Sequence, residues 1–323
     1  MAKNSAAVGL ALKADPSEPL RVLVAWSPTN GSSESLEVAA WLARTTPVRL
    51  RVLSTFIQPW GGTSLNKTGG KYKKWLREET NAVERAVKDA LTERGIDKNA
   101  WAKRYSVVVD GADRPQLITD AAQDFNADVI LLSPSHSAPK NRVFAGSTAD
   151  ALLHYSPVTL GLTPRRVKLS KHGVTRINFA YTNDRGKKTD PALHTAATLA
   201  ARFGVPLRIL AFSPTGLVGA SMNDKLDVAK ELTSDWREHS LALLDVARDA
   251  VFDAHPELDV TTDIGSGKGW RGAVDSLKWK KGDLMFLGSN PMGTFSRVFI
   301  GSTATELLPH LSVPVLVHPV QRT

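Results

Sequence analysis

Cysteine does not occur anywhere in the 323 residues. Its absence removes disulfides, thiolate nucleophiles and cysteine metal sites together, and it favours no oxidising compartment. Long hydrophobic runs are missing too, since no stretch approaches the ~18 apolar residues of a membrane span. The apolar segment AAVGLAL near the N-terminus is too short for a span and lacks a convincing cleavage site, so residues 1–19 are predicted to be a disordered arm and the protein is expected to be cytoplasmic. There is no G-x-S-x-G nucleophile turn, the eight histidines show no paired metal spacing, and no two carboxylates fall together at an assigned site. No catalytic residue and no metal ligand can be named from these residues.

What the chain does have is positive charge and a repeat. The formal net charge is +9, from 41 Lys and Arg against 32 Asp and Glu. The basic residues are spread over Lys67–Arg77, Arg165–Lys171, Lys187–Lys188 and Lys278–Lys281. No run carries a recognisable reading-helix motif, so each is read as solvated surface, with no specific nucleic acid and no membrane expected as partner. Trp60 and Trp75 flank the first run and are read either as packing residues or as a surface for a base or a partner.

The stretch Gly282–Pro319 reads strand, loop, helix start, strand. Gly301-Ser302-Thr303 stands where a buried parallel strand hands over to a helix N-terminus. Unpaired N–H groups and the positive end of the helix dipole collect an anion at such a place, and a phosphate is its natural guest. The same stretch occurs earlier: Arg142-Val-Phe-Ala-Gly146-Ser147-Thr148-Ala149 returns 155 residues later as Arg297-Val-Phe-Ile-Gly301-Ser302-Thr303-Ala304. The offset also relates Arg21–Ser27 to Arg176–Thr182 and Ala127–Ser133 to Gly282–Gly288, which indicates a duplicated domain. Predicted strands and helices alternate in both halves, so the fold class is α/β: two tandem doubly wound parallel sheets. The predicted bounds are 20–164 and 174–323, joined by a basic linker at 165–173. Ligands of such sheets bind beyond the carboxyl ends of the strands, which selects the loops after the first and fourth strands of each half.

The loop after the first strand, the glycine loop after the fourth, the Gly-Ser-Thr helix start and the closing Pro-Val strand together resemble the universal stress proteins in their tandem-domain form. The resemblance covers nearly all of residues 20–320. It implies a five-stranded parallel sheet in each domain and dimerisation, often through the last strand, met here by a homodimer or by an intrachain pseudo-dimer of the two domains. It also implies, for some members, ATP held by a fourth-strand glycine, a second glycine three residues on and a later Gly-Ser/Thr, with an aspartate after the first strand on the nucleoside. In the second domain this carries over to Gly288, Ser289, Gly301, Ser302 and Thr303, with Thr182, Asp184 and Arg297 beside them; Pro291 stands at the second glycine position and Thr182 at the aspartate position. In the first domain the equivalents are Ser27, Ser133, His136, Arg142, Gly146, Ser147 and Thr148, a degenerate set because Ser133 and His136 replace both earlier glycines.

Two readings stand for Arg142 and Arg297: each neutralises a phosphate, or each makes a structural or dimer-interface contact. The segment Thr261–Trp270, TTDIGSGKGW, resembles a phosphate loop but has Gly269 where a magnesium-binding hydroxyl is needed. It is therefore predicted to be a connecting loop, with Lys268 able to face an anion. The expected function is non-enzymatic stress-response binding and signalling, with an adenine nucleotide, ATP, in the second domain. The alternatives are a scaffold that has lost nucleotide binding and works through an unknown protein partner, and a slow ATPase.

Overall fold

The computed structural model describes residues 17–30, 32–57, 69–181, 190–215, 228–291, 298–299 and 302–319. The first half runs β1 (Leu20–Ala25), α1 (Glu34–Ala43), β2 (Val48–Ile57), α2 (Gly69–Glu93), β3 (Trp101–Gly111), α3 (Arg114–Phe125), β4 (Val129–Leu132), α4 (Ser147–Tyr155) and β5 (Thr159–Leu162). The second repeats that order with β6 (Arg176–Ala180), α5 (Pro191–Phe203), β7 (Leu207–Thr215), α6 (Val228–Ala254), β8 (Val260–Lys268), α7 (Gly269–Asp275), β9 (Asp283–Pro291), α8 (Ser302–Leu307) and β11 (Val315–Pro319). A two-residue β10 (Val298–Phe299) pairs antiparallel with the end of β9.

Ten strands form one sheet in the order β3-β2-β1-β4-β5-β11-β9-β6-β7-β8. Among these ten, pairing is parallel inside each half, as expected of strands joined through helical crossovers. The halves meet where β5 and β11 run antiparallel, with Leu162 opposite Val315, Gly161 opposite Leu316 and Leu160 opposite Val317. The order on one side of this seam mirrors that on the other, as expected for a duplicated domain closed on itself.

Alternation along the strands sorts the core onto two faces. Val22 and Val24 of β1 join Leu50 and Val52 of β2 under α1 and α2, and on the same face lie Ile177, Phe179, Leu207 and Ile209 under α5 and α6. Leu23, Leu53, Ile130 and Leu132 face the other way with Ile118 and Leu152 of α3 and α4, continued across the seam by Met285, Leu287, Val274 and Leu307. The linker and the residue after it are anchored on α1 and the turn that follows it: Arg166 N–H donates to Glu34 Oε1 at 3.0 Å and Val174 N–H to Thr45 Oγ1 at 2.7 Å. Gly173 turns there with φ +79, and a Cβ at that position would come within 2.4 Å of Thr45 Oγ1.

Helix ends follow local chemistry. The α5 segment is capped by Asp190, which accepts from the N–H groups of Ala192 and Leu193, starts at Pro191 and stops at Gly204 in the left-handed region at φ 62. By contrast Ser33, which precedes α1, makes no side-chain capping bond; its hydroxyl donates to Glu37 Oε1 at 3.0 Å, and Ser32 donates to Glu34 Oε2 at 2.8 Å. A second correction concerns 261–268, predicted as a loop: these residues are the body of β8, paired along β7 from Leu207↔Val260 to Thr215↔Lys268. Their glycines serve packing. A Cβ at Gly265 would lie 2.5 Å from the Ala273 carbonyl oxygen and one at Gly267 2.4 Å from the Gly272 carbonyl carbon, so glycine lets the backbone of α7 rest on the strand.

Candidate functional site

Sheet order reverses between β1 and β4, and there the chains leaving the two carboxyl ends diverge in opposite directions. A cleft of about 280 Å³ opens at this point in the first half, at the lower edge of the ~300–1,000 Å³ typical of small-molecule sites. Its apolar base is Ala25, Leu53, Ile118 and Leu132. Around the base stand hydroxyls from Ser27 and Ser32 after β1, Thr55 on β2, Ser133 and Ser135 after β4, and Ser147 and Thr148 on α4, together with His136 and Arg114. Six of the seven residues named for this half therefore come together: Ser27, Ser133, His136, Gly146, Ser147 and Thr148.

Three features give the cleft its electrostatic character. The first is α4, which begins at Gly146 with φ −74 and ψ 174 and receives no side-chain capping bond, so its first N–H groups face the cleft without an acceptor from the capping residue. The second is the guanidinium of Arg114, whose Nε donates to Thr55 Oγ1 at 3.2 Å. The third is pairing of hydroxyls with one another: Ser133 with Ser35 at 2.7 Å, Ser27 with Thr29 at 2.9 Å and Ser135 with Ser137 at 2.9 Å. Glu34 lies just outside. Burial pushes its pKa up, but the Arg166 N–H and the Ser32 hydroxyl outweigh that and leave it below the usual value, so its charge stays on the linker contact. The cleft itself therefore presents donors and no carboxylate among its lining residues.

Arg142 does not join the cleft. Its guanidinium reaches across to the second half, where one nitrogen donates to the carbonyl of His310 and the other lies 3.2 Å from Asp275 Oδ1. Among the second-half residues, Gly288 lies in β9 opposite His318, and the hydroxyl of the fully buried Ser289 donates to the His318 carbonyl at 3.1 Å, turned into the sheet. Ser302 and Thr303 open α8, while Thr182, Asp184, Arg297 and Gly301 lie outside the described residues. Arg114 and Thr55 were missed in the sequence. Arg114 sits at the start of a helix following the edge strand, and only the proximity of β2 and α3 brings it to the site.

An adenine nucleotide fits this cleft at one end. The α4 N-terminus and Arg114 suit a phosphate. Ser27 stands at the position where the family resemblance implies a nucleoside-contacting aspartate, and the Ser133 hydroxyl pairs with that of Ser35.

Comparison with known proteins agrees with the architecture. A sequence model described as the universal stress protein family matches residues 20–162 and again 175–319. A universal stress protein of Mycobacterium bovis is 29% identical over 287 residues, covering 88% of this chain and 94% of its own length; one from Mycobacterium tuberculosis H37Rv gives the same figures. Among solved structures, a universal stress protein from Archaeoglobus fulgidus superimposes with a TM-score of 0.59 at 19% identity, over 92% of this chain and 97% of that one. A putative universal stress protein from Pseudomonas aeruginosa gives 0.52 at 15% identity, over 94% of each chain. At those identities the structural likeness speaks for the fold.

Proposed function

The chain belongs to the universal stress protein family, and from that premise we propose that it is a cytoplasmic stress-response binding protein that takes a phosphate-bearing small molecule, an adenine nucleotide first, without transforming it. The observation that carries this reading is the donor-lined cleft at the switch point of the first half, closed on one side by the uncapped N-terminus of α4. The phosphate end would rest on the N–H groups of the Gly146–Thr148 turn with Arg114 supplying a full positive charge, while the apolar base receives the less polar part of the ligand. Binding of this kind stabilises the folded chain by mass action and needs no catalytic group. Among the described residues no helix is long and apolar enough to cross a membrane.

The test is calorimetric titration of the full chain with ATP, after mass spectrometry of the supernatant from denatured, freshly purified protein to detect nucleotide carried through. Saturable heat that disappears with Gly146→Val is the expected result. The position has room for a side chain to start, because a Cβ at Gly146 meets only Ser135, its Cβ at the ordinary distance of 3.5 Å and its Oγ at 3.9 Å. Heat retained by Gly146→Val and lost with Gly288→Ala and Gly301→Ala together moves the site to the second half. No heat and no carried nucleotide rejects nucleotide binding and favours the scaffold reading.

A further inference from the structure

The first two turns of α2 overhang the sheet. None of residues 70–82 of the helix is fully buried, Tyr72, Leu76, Glu79 and Thr80 being half-buried, although the helix begins at Gly69. The overhang reads Gly-Gly-Lys-Tyr-Lys-Lys-Trp-Leu-Arg over residues 69–77, four cations without one carboxylate. All four cations, Lys71, Lys73, Lys74 and Arg77, are exposed. The only ion pair they form among the described residues is Lys74 with Glu78 at 4.0 Å, between two groups that are mostly in water and therefore weakly coupled.

Between these charges stands Trp75, 43% exposed. The ring is held in place: its centroid lies 5.6 Å from that of Phe56 and 5.6 Å from that of Tyr72, and the Tyr72 hydroxyl donates to Asp110 Oδ2 at 2.7 Å. A large aromatic ring fixed by two neighbours yet left nearly half in solvent keeps a π surface for something outside the fold. Charge complementarity says what that is. A fixed aromatic surface beside exposed cations is the pairing that binds single-stranded nucleic acid, whose unstacked bases offer rings and whose backbone offers one negative charge per nucleotide. A lipid surface fits less well, because an interfacial helix needs a continuous apolar face, and from Val83 onward that face of α2 is buried against the sheet.

The geometry points to the α2 overhang as a sequence-tolerant binding surface for single-stranded nucleic acid, independent of the cleft. Trp75 stacks one base and the four cations track the phosphates on either side. The +9 net charge of the chain steers the polyanion toward it.

The test is fluorescence anisotropy of a labelled oligothymidylate 20-mer with the full chain across a salt series. Trp75→Ala is expected to weaken binding by about 5-fold or more at unchanged salt dependence, and Trp75→Phe, which restores a ring, to recover most of the loss. Lys73→Gln with Lys74→Gln is expected to reduce the slope of log K against log salt by about 1.4, at ~0.7 per phosphate contact for a single strand. Circular dichroism of each variant separates these effects from unfolding. The proposal is overturned if wild type and Trp75→Ala bind alike, if duplex DNA competes as well as the single strand, or if no binding is seen at low salt. It is equally overturned if Trp75 matters only for phosphatidylserine vesicles, which would assign the surface to a membrane.

Discussion

His318 lies at the seam between the halves and is expected to make their stability depend on pH. It lies in β11 at 8% exposure, with Nδ1 2.9 Å from the Thr159 hydroxyl of β5 and its ring centroid 5.8 Å from that of Phe286. Burial lowers its pKa from 6.5 to about 4. A histidine whose folded pKa is depressed is neutral in the fold and takes its proton more readily in the unfolded chain. Stability therefore falls as pH drops from 6.5 toward 4 and levels off below. At ~1.4 kcal/mol per pKa unit the loss is about 3 kcal/mol. Urea midpoints measured at pH 7 and pH 4.5 are expected to differ, and His318→Gln, which keeps a hydrogen-bonding group opposite Thr159, is expected to flatten the difference; an equal pH slope in the variant would remove His318 as its source. Burial lowers His255 and His310 in the same direction, so a residual slope remains. Arg142 acts at the same boundary by a different force. Its pair with Asp275 is partly exposed, at 22% and 47%, so a double-mutant cycle of Arg142→Ala and Asp275→Ala is expected to give a coupling of about 0.5–1 kcal/mol. The coupling should shrink in high salt. Arg142→Ala alone is expected to cost more than Asp275→Ala, since it also strips a donor from the His310 carbonyl.

At the scale of the element, the β8–α7 unit shows why sequence reading succeeds in one place and fails in another. Asp190-Pro191 and Gly204 mark α5 because caps act within one turn of chain, and the structure places that helix at Pro191–Phe203. The Arg142 and Arg297 motifs revealed the duplication because a repeat is visible without any contact being known. The glycines of TTDIGSGKGW misled because their reason lies in another element: Gly267 is small so that Gly272 of α7 can sit against it, a contact no local pattern announces. The same holds for Arg142, whose acceptor Asp275 is 133 positions away, and for Arg114, placed at the cleft by packing of α3 beside β2. Gly267→Ala is accordingly expected to cost about 1–3 kcal/mol through displaced backbone. Gly269, where φ is +64 and an added Cβ meets nothing within 4 Å, tests strain alone; Gly269→Ala is expected to cost ~1–2 kcal/mol. Chemical denaturation of the two variants checks the pair, and a negligible loss at Gly267 would mean that α7 can lift from β8 freely.

Across the whole molecule, what the seam does decides how the duplicated domain behaves. The resemblance led to the expectation of pairing through a last strand, and in this chain both closing strands, β5 and β11, are already paired with each other. The ten strands share one hydrogen-bonded ladder, and the core under α1 and α2 is continuous with that under α5 and α6. Two halves joined through buried backbone and a common apolar layer lose much of their stability when separated, so they should unfold together. A single calorimetric transition with equal van't Hoff and calorimetric enthalpies is the expected outcome for the wild type, and light scattering should give the 35.0 kDa of one chain. Leu316 faces Gly161 at the centre of the seam and is 3% exposed. Leu316→Asp buries an unpaired carboxylate there, at a cost of several kcal/mol, and is expected to split the transition in two or lower it as a whole. A variant that kept the wild-type transition would show that β5 and β11 contribute little to the union of the halves. The Arg142 bridge and the apolar layer shared by the two halves would then be left to hold them.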